Sequence, residues 1–259
     1  MARRSAPAPH AHRFLALSFL MALLALGAPS ALAADDADKL AEAKQLVTDI
    51  DAARKAKDAS TAGGLLKSLP ALHNGLENKP ARGKLQKAAG SLVKAKGMED
   101  LGPTAVATLA ELNDPKGAYK QLKKHMPGPK DKTEISDLGK AVLAAVAKLA
   151  PDSAIGALSD LAEKSRDYEA SALAIHALGH YKASKKRVAI LENLIKLISR
   201  FQPPRGQQVG AETEKRWKAL AEPLIIACNR ITTRRETTPD AWLGLWKENK
   251  KKPAGLFNE

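Results

Sequence analysis

The chain has 259 residues, of which 42 are Lys or Arg and 28 are Asp or Glu, giving a formal charge of +14. That length suffices for one good-sized domain or an extended repeat array, and a single cysteine excludes an internal disulfide. Aromatic residues are 4% of the chain, while Ala, Leu and Lys dominate wherever periodicity shows, which argues for an all-α class.

The first segment reads as a leader. MARRSAPAPHAHR is basic and carries no acid, and Phe14 to Leu26 is apolar apart from Ser18. Gly27-Ala28-Pro29 breaks that run, and Ala31-Leu32-Ala33 supplies the small residues that a signal peptidase reads, so cleavage is expected after Ala33 or Ala34. The apolar run falls short of the ~20 residues needed to span a bilayer, so no stable membrane span is expected after cleavage. Arg3-Arg4 is separated from the run by a hydrophilic stretch, which favours general secretion over twin-arginine export. Cys228 lies far from the cleavage site and offers no N-terminal lipid anchor. The expectation is a signal peptide over residues 1–33 and one periplasmic or secreted domain over 34–259. Loss of Arg3, Arg4 and Arg13 lowers the charge from +14 to +11.

Asp36 to Lys57 reads as a helix with Leu40, Ala43, Val47 and Ile50 at helical spacing. Ala62-Gly63-Gly64 predicts a weak point, and the polar stretch His73 to Lys79 predicts a break ahead of Pro80. Pro80 opens a helix running to about Lys96, where Gly97 stops it. Three segments then repeat one another: TLAELNDPKGAYKQL (Thr108 to Leu122), AVAKLAPDSAIGAL (Ala145 to Leu158) and ALGHYKASKKRVAIL (Ala177 to Leu191). Leu109, Val146 and Leu178 are equivalent, at separations of 37 and 32. Each unit is a helix, a tight polar turn and a second helix, with Asp114-Pro115 and Pro151-Asp152 supplying the turn and the helix start. Such a hairpin cannot bury its apolar side alone, so the period predicts stacked antiparallel hairpins, an α-solenoid. An irregular loop is expected at Gln202 to Glu212, with Pro203-Pro204 and Gly206. Cys228, in LIIACNRI, reads as a small buried hydrophobe. Thr238-Pro239 then opens a last helix, near 238–252, on which Trp242 and Trp246 share one face and are expected to cap the final hairpin.

These hairpins resemble HEAT repeats, whose pattern runs approximately A-L-x-x-L-x-D-P-x-A-V-x-x-L. Ala145, Val146, Leu149, Pro151, Asp152, Ala154, Ile155 and Leu158 follow it with Pro and Asp reversed, and the likeness covers roughly Gly97 to Phe201. The tail, RITTRRETTPDAWLGLWKENKKK, is similar to the C-terminal segment of exported bacterial HEAT-repeat proteins, including planctomycete ones. There a threonine-glycine turn leads to a helix carrying W-x-x-W-W. Here Thr233 replaces the glycine and only Trp242 and Trp246 are present. The resemblance implies a HEAT/armadillo-like superhelix and brings no catalytic residues.

Chemistry is sparse in the sequence. G-x-S-x-G, the phosphate-binding G-x-x-x-x-G-K-S/T, G-x-G-x-x-G and C-x-x-C are all absent, so no cofactor is expected. His176 and His180 stand at i and i+4 and can reach one metal from one helix face, but Ala177 replaces the glutamate of the zinc-protease form and no third ligand is specified. Basic residues show more order. Lys116, Lys120 and Lys124 recur at i, i+4 and i+8, and Lys196 with Arg200 repeats the spacing opposite Leu191, Ile195 and Ile198. In HEAT arrays the second helices line the concave side, which would put these stripes on one groove. The expectation is an exported, non-catalytic scaffold binding an acidic protein or an anionic envelope polymer. Export argues against nucleic acid as the natural partner. An exported HEAT-like hydrolase or lyase with an active site in the groove is the alternative.

Overall fold

A computed structural model describes residues 31–131, 133–204 and 206–257, with side chains from Asp36 onward. Among the described residues it is all-α, with eleven α-helices and no strand. We number them α1 (Ala31–Ala56), α2 (Ala59–Gly75), α3 (Lys79–Leu92), α4 (Gly102–Ala110), α5 (Pro115–Leu122), α6 (Asp137–Leu149), α7 (Ile155–Lys164), α8 (Tyr168–Leu178), α9 (Arg187–Phe201), α10 (Ala211–Thr232) and α11 (Pro239–Asn249). The expected leader lies outside the described residues except for its last three. None of the described helices is long and apolar enough to cross a membrane.

Most helix starts are written locally. Asp58, Asn78, Asp114, Ser136, Asp167 and Thr238 each accept a backbone N–H from the first turn that follows, satisfying donors that a helix start leaves free. Pro80, Pro115 and Pro239 sit in those first turns, where a missing N–H costs nothing. Asp167 does more than cap α8, because its second oxygen accepts the Ile135 N–H at 2.6 Å and so ties the segment before α6 to the start of α8.

Packing alternates along the chain. α2, α4, α6, α8 and α10 each contact the next in that order, while α1, α3 and α5 follow one another on the other side, and so do α7, α9 and α11. The buried residues form one cluster from Ala43 to Phe257, with Leu66, Leu109, Val146, Leu178 and Leu224 fully enclosed. The three repeat-equivalent positions, Leu109, Val146 and Leu178, all belong to it. α8 and α10 approach closely at Gly179, where a Cβ would stand 2.9 Å from the Cα of Ala227.

Three expectations need correction, the simplest being that the helix opened at Pro80 ends at Leu92, short of Lys96. Gly63 and Gly64 do not weaken α2, which runs through them from the Asp58 cap; burial of Leu66, Leu69 and Leu72 outweighs a propensity cost of about 1 kcal/mol per glycine. The break expected from His73 falls later, because His73 is fully buried on the last turn of α2, and only residues 76–78 separate it from α3. The described residues of the 202–210 segment are irregular as expected, but α10 begins at Ala211, within the stretch expected to be loop up to Glu212.

Candidate functional site

The turns that follow α2, α4, α6 and α8 gather along one edge, and side chains staple them in pairs. At the first staple, Asn74 at the end of α2 donates to the Glu111 carbonyl (3.1 Å) and accepts from the Asn113 N–H (2.9 Å), which locks the α4–α5 turn. Beneath it His73 is buried against Gln86. Gln86 Nε2 donates to His73 Nε2 (3.0 Å) and to Asp114 Oδ2 (2.9 Å), so the imidazole proton sits on Nδ1 and is donated to Asn74 Oδ1 (3.0 Å). Burial holds the His73 pKa below its ordinary value. Burial works to raise the Asp114 pKa, but hydrogen bonds from Gln86 and the Gly117 N–H, with Arg82 and His73 nearby, overcome it and hold the carboxyl below its usual range.

The second staple joins the α6–α7 and α8–α9 turns. Tyr181 O–H donates to the Pro151 carbonyl at 3.0 Å, and Ser184 Oγ donates to Asp152 at 2.7 Å. Tyr181 is almost wholly enclosed, and that burial pushes its phenol up.

Between the two staples the edge opens. No hydrogen bond joins the α4–α5 turn to the α6–α7 turn among the described residues, and α5 and α7 make at most marginal contact. There lies a cleft of about 1030 Å³, lined by Lys79 and Arg82 of α3, the 113–116 turn, the 151–153 turn and Lys186. Lys79, Lys116 and Lys186 are exposed, and Arg82 is half-buried with a hydrogen bond to Asn113 at 2.7 Å. None of the four pairs with a carboxylate among the described residues. The two acids of the lining, Asp114 and Asp152, are engaged by neutral donors. The cleft therefore carries four cations against two carboxylates.

The lysine stripe expected on α5 takes a different course. Lys116, Lys120 and Lys124 are all exposed, but α5 ends at Leu122 and Lys124 lies on a 3₁₀ turn, Lys123–His125. That turn has three residues per turn in place of 3.6, so Lys124 rotates off the line. It also stands at the far end of α5, where it and Lys94, after burial, help lower the His125 pKa. Only Lys116 reaches the cleft. Lys196 pairs with Glu192 at 2.9 Å and Arg200 with Glu163, so neither presents an uncompensated charge. Sequence reasoning missed Lys79, Arg82 and Lys186. The signal available was that each stands at the start of a second helix, beside a turn.

His176 and His180 do come together, with ring centroids 5.2 Å apart. Both Nε2 atoms face Arg230 Nη1, at 3.0 and 2.6 Å, so each imidazole accepts from the guanidinium. Burial first, and then Arg230, hold both below the ordinary histidine value. No cluster of three metal-ligating side chains occurs among the described residues. Cys228 is fully buried and its thiol is pushed up by that burial, which keeps it protonated. Trp242 is wholly enclosed on α11, which packs on α9 and α10, and Trp246 is partly buried beside it.

No family model matches this chain, and no curated protein or solved structure shows significant similarity to it.

Proposed function

We propose that the chain is an exported, non-catalytic scaffold of HEAT-like α-solenoid form that holds an anionic partner, either an acidic protein or an anionic envelope polymer. The solenoid reading is supported by the alternate packing, in which every helix from α3 onward except α7 rests on the helix two before it, and by the turn-to-turn staples along one edge. The observation that carries the binding role is the cleft, where Lys79, Arg82, Lys116 and Lys186 outnumber the two carboxylates, Asp114 and Asp152. Each cation alone contributes only about 0–1 kcal/mol at an exposed site, so affinity comes from several acting together. The leader, with export as its consequence, is read from the sequence.

The test is cross-linked capture from the envelope fraction of the native organism with the parent and with a variant lacking the four cleft cations. Recovery of one stoichiometric anionic component by the parent, lost at high salt and absent with the variant, is the expected outcome. Equal recovery by both proteins would sink the reading, and so would turnover of a small molecule by purified protein.

A further inference from the structure

We infer that the cleft binds a flexible linear polyanion laid along the turn edge, in preference to the face of a folded acidic protein. This deepens the reading above and rests on it. The cleft sits where the edge is unsealed: turns are stapled on both sides of it, α5 and α7 stand apart, and the four cations come from three separate elements around the opening.

The lining decides between the two kinds of partner. A protein interface needs an apolar centre, usually with aromatic or aliphatic anchors seated in pockets. The residues around this cleft include no aromatic and no Leu, Ile, Val or Met; the only apolar side chains are Pro115 and Pro151. Among the described residues, the sole large hydrophobic group that is exposed is Ile226, on α10 in the opposite row. A folded partner would therefore find no aromatic or branched aliphatic side chain to anchor on here. A polymer with an anionic group on each repeating unit needs none, because neutralising its charges releases the counterions condensed along it. Three of the four cations are lysines, compact charges on flexible stems, which follow a moving chain without demanding one bidentate geometry.

Binding of fluorescently labelled linear polyphosphate across a salt series tests the inference. Four contacts on a flexible chain predict that log K falls against log salt with a slope of about −3, taking about 0.7 per contact. Lys79→Ala/Arg82→Ala/Lys116→Ala/Lys186→Ala should flatten that slope towards zero and weaken binding at least tenfold at low salt. The comparison protein loses as much charge from the opposite edge, as Lys55→Ala/Lys94→Ala/Lys96→Ala/Lys123→Ala, and should keep the parent slope. If it loses as much as the cleft variant, overall charge explains the binding and the site is wrong. The single variants Lys79→Ala, Lys116→Ala and Lys186→Ala guard against misfolding, since these side chains are exposed; each should lower the slope by about 0.7. Capture of a folded acidic protein in place of polyphosphate would overturn the polymer class and leave the scaffold standing. Binding of neither would overturn both.

Discussion

Single residues carry much of the local logic, and some carry it at a cost. Thr233 follows the end of α10 with φ +63, in the left-handed region where a β-branched residue is strained. Glycine, with no Cβ, adopts this conformation without that strain. Thr233→Gly should raise stability by about 1 kcal/mol, or about 2–4 °C in a chain of this size, read as the midpoint of thermal unfolding. An unchanged or lower midpoint would mean that the Thr233 hydroxyl, which donates to the Thr232 carbonyl at 2.6 Å, compensates for the strain. The same scale explains what the sequence concealed about His73. A histidine beside Asn74, Gly75, Glu77 and Asn78 reads as part of a polar loop, and nothing local reveals that Gln86 and Asp114, from later elements, surround it. Burial of a polar side chain depends on partners brought by folding, whereas a cap such as Asp114 is legible because its partner, the Gly117 N–H, lies three residues away.

At the scale of elements, α11 packs on α9 and α10. Trp242 fills the space against α9 and α10 and is fully enclosed, while Trp246, one turn later, remains partly open. Trp242→Ala should cost about 3–5 kcal/mol locally and Trp246→Ala clearly less. If the helices form a quasi-linear array, hydrogen exchange in the Trp242 variant should quicken in α10 and α11 while α2 to α4 keep their protection. Uniform loss of protection would argue for one indivisible cooperative unit. The helices and their starts were the most legible part of the chain, because turn and capping signals lie within a few residues of each other. Lys120 and Lys124 show the limit of that legibility. Spacing alone defines a stripe only while the helix continues, and α5 tightens to a 3₁₀ turn after Leu122. The cleft was illegible for a related reason, since its cations come from three separate elements that no spacing rule connects.

For the whole molecule, His73, His125, His176 and His180 all have lowered pKa values, with burial the leading cause in each. Their folded values lie below the unfolded value of about 6.5, so the unfolded chain takes up protons first as pH falls. The stability they contribute is fully present above about pH 6.5 and is lost as pH drops through the folded values. Urea midpoints should therefore be level from about pH 8 to 7 and decline below about 6.5. The decline should be shallower in His73→Gln, by up to about 1.4 kcal/mol per pH unit for one proton removed from the balance. An identical pH profile in that variant would show that His73 is not among the groups responsible. The seam between α8 and α10 adds a second meaning to this behaviour. Arg230 serves both imidazoles as a cation that is covalently part of the chain and has no free state to escape into. A seam bridged in this way engages the Nε2 atoms of both rings with one guanidinium nitrogen. Acidity is what reaches it, because a proton on either ring turns an acceptor into a neighbour that Arg230 repels.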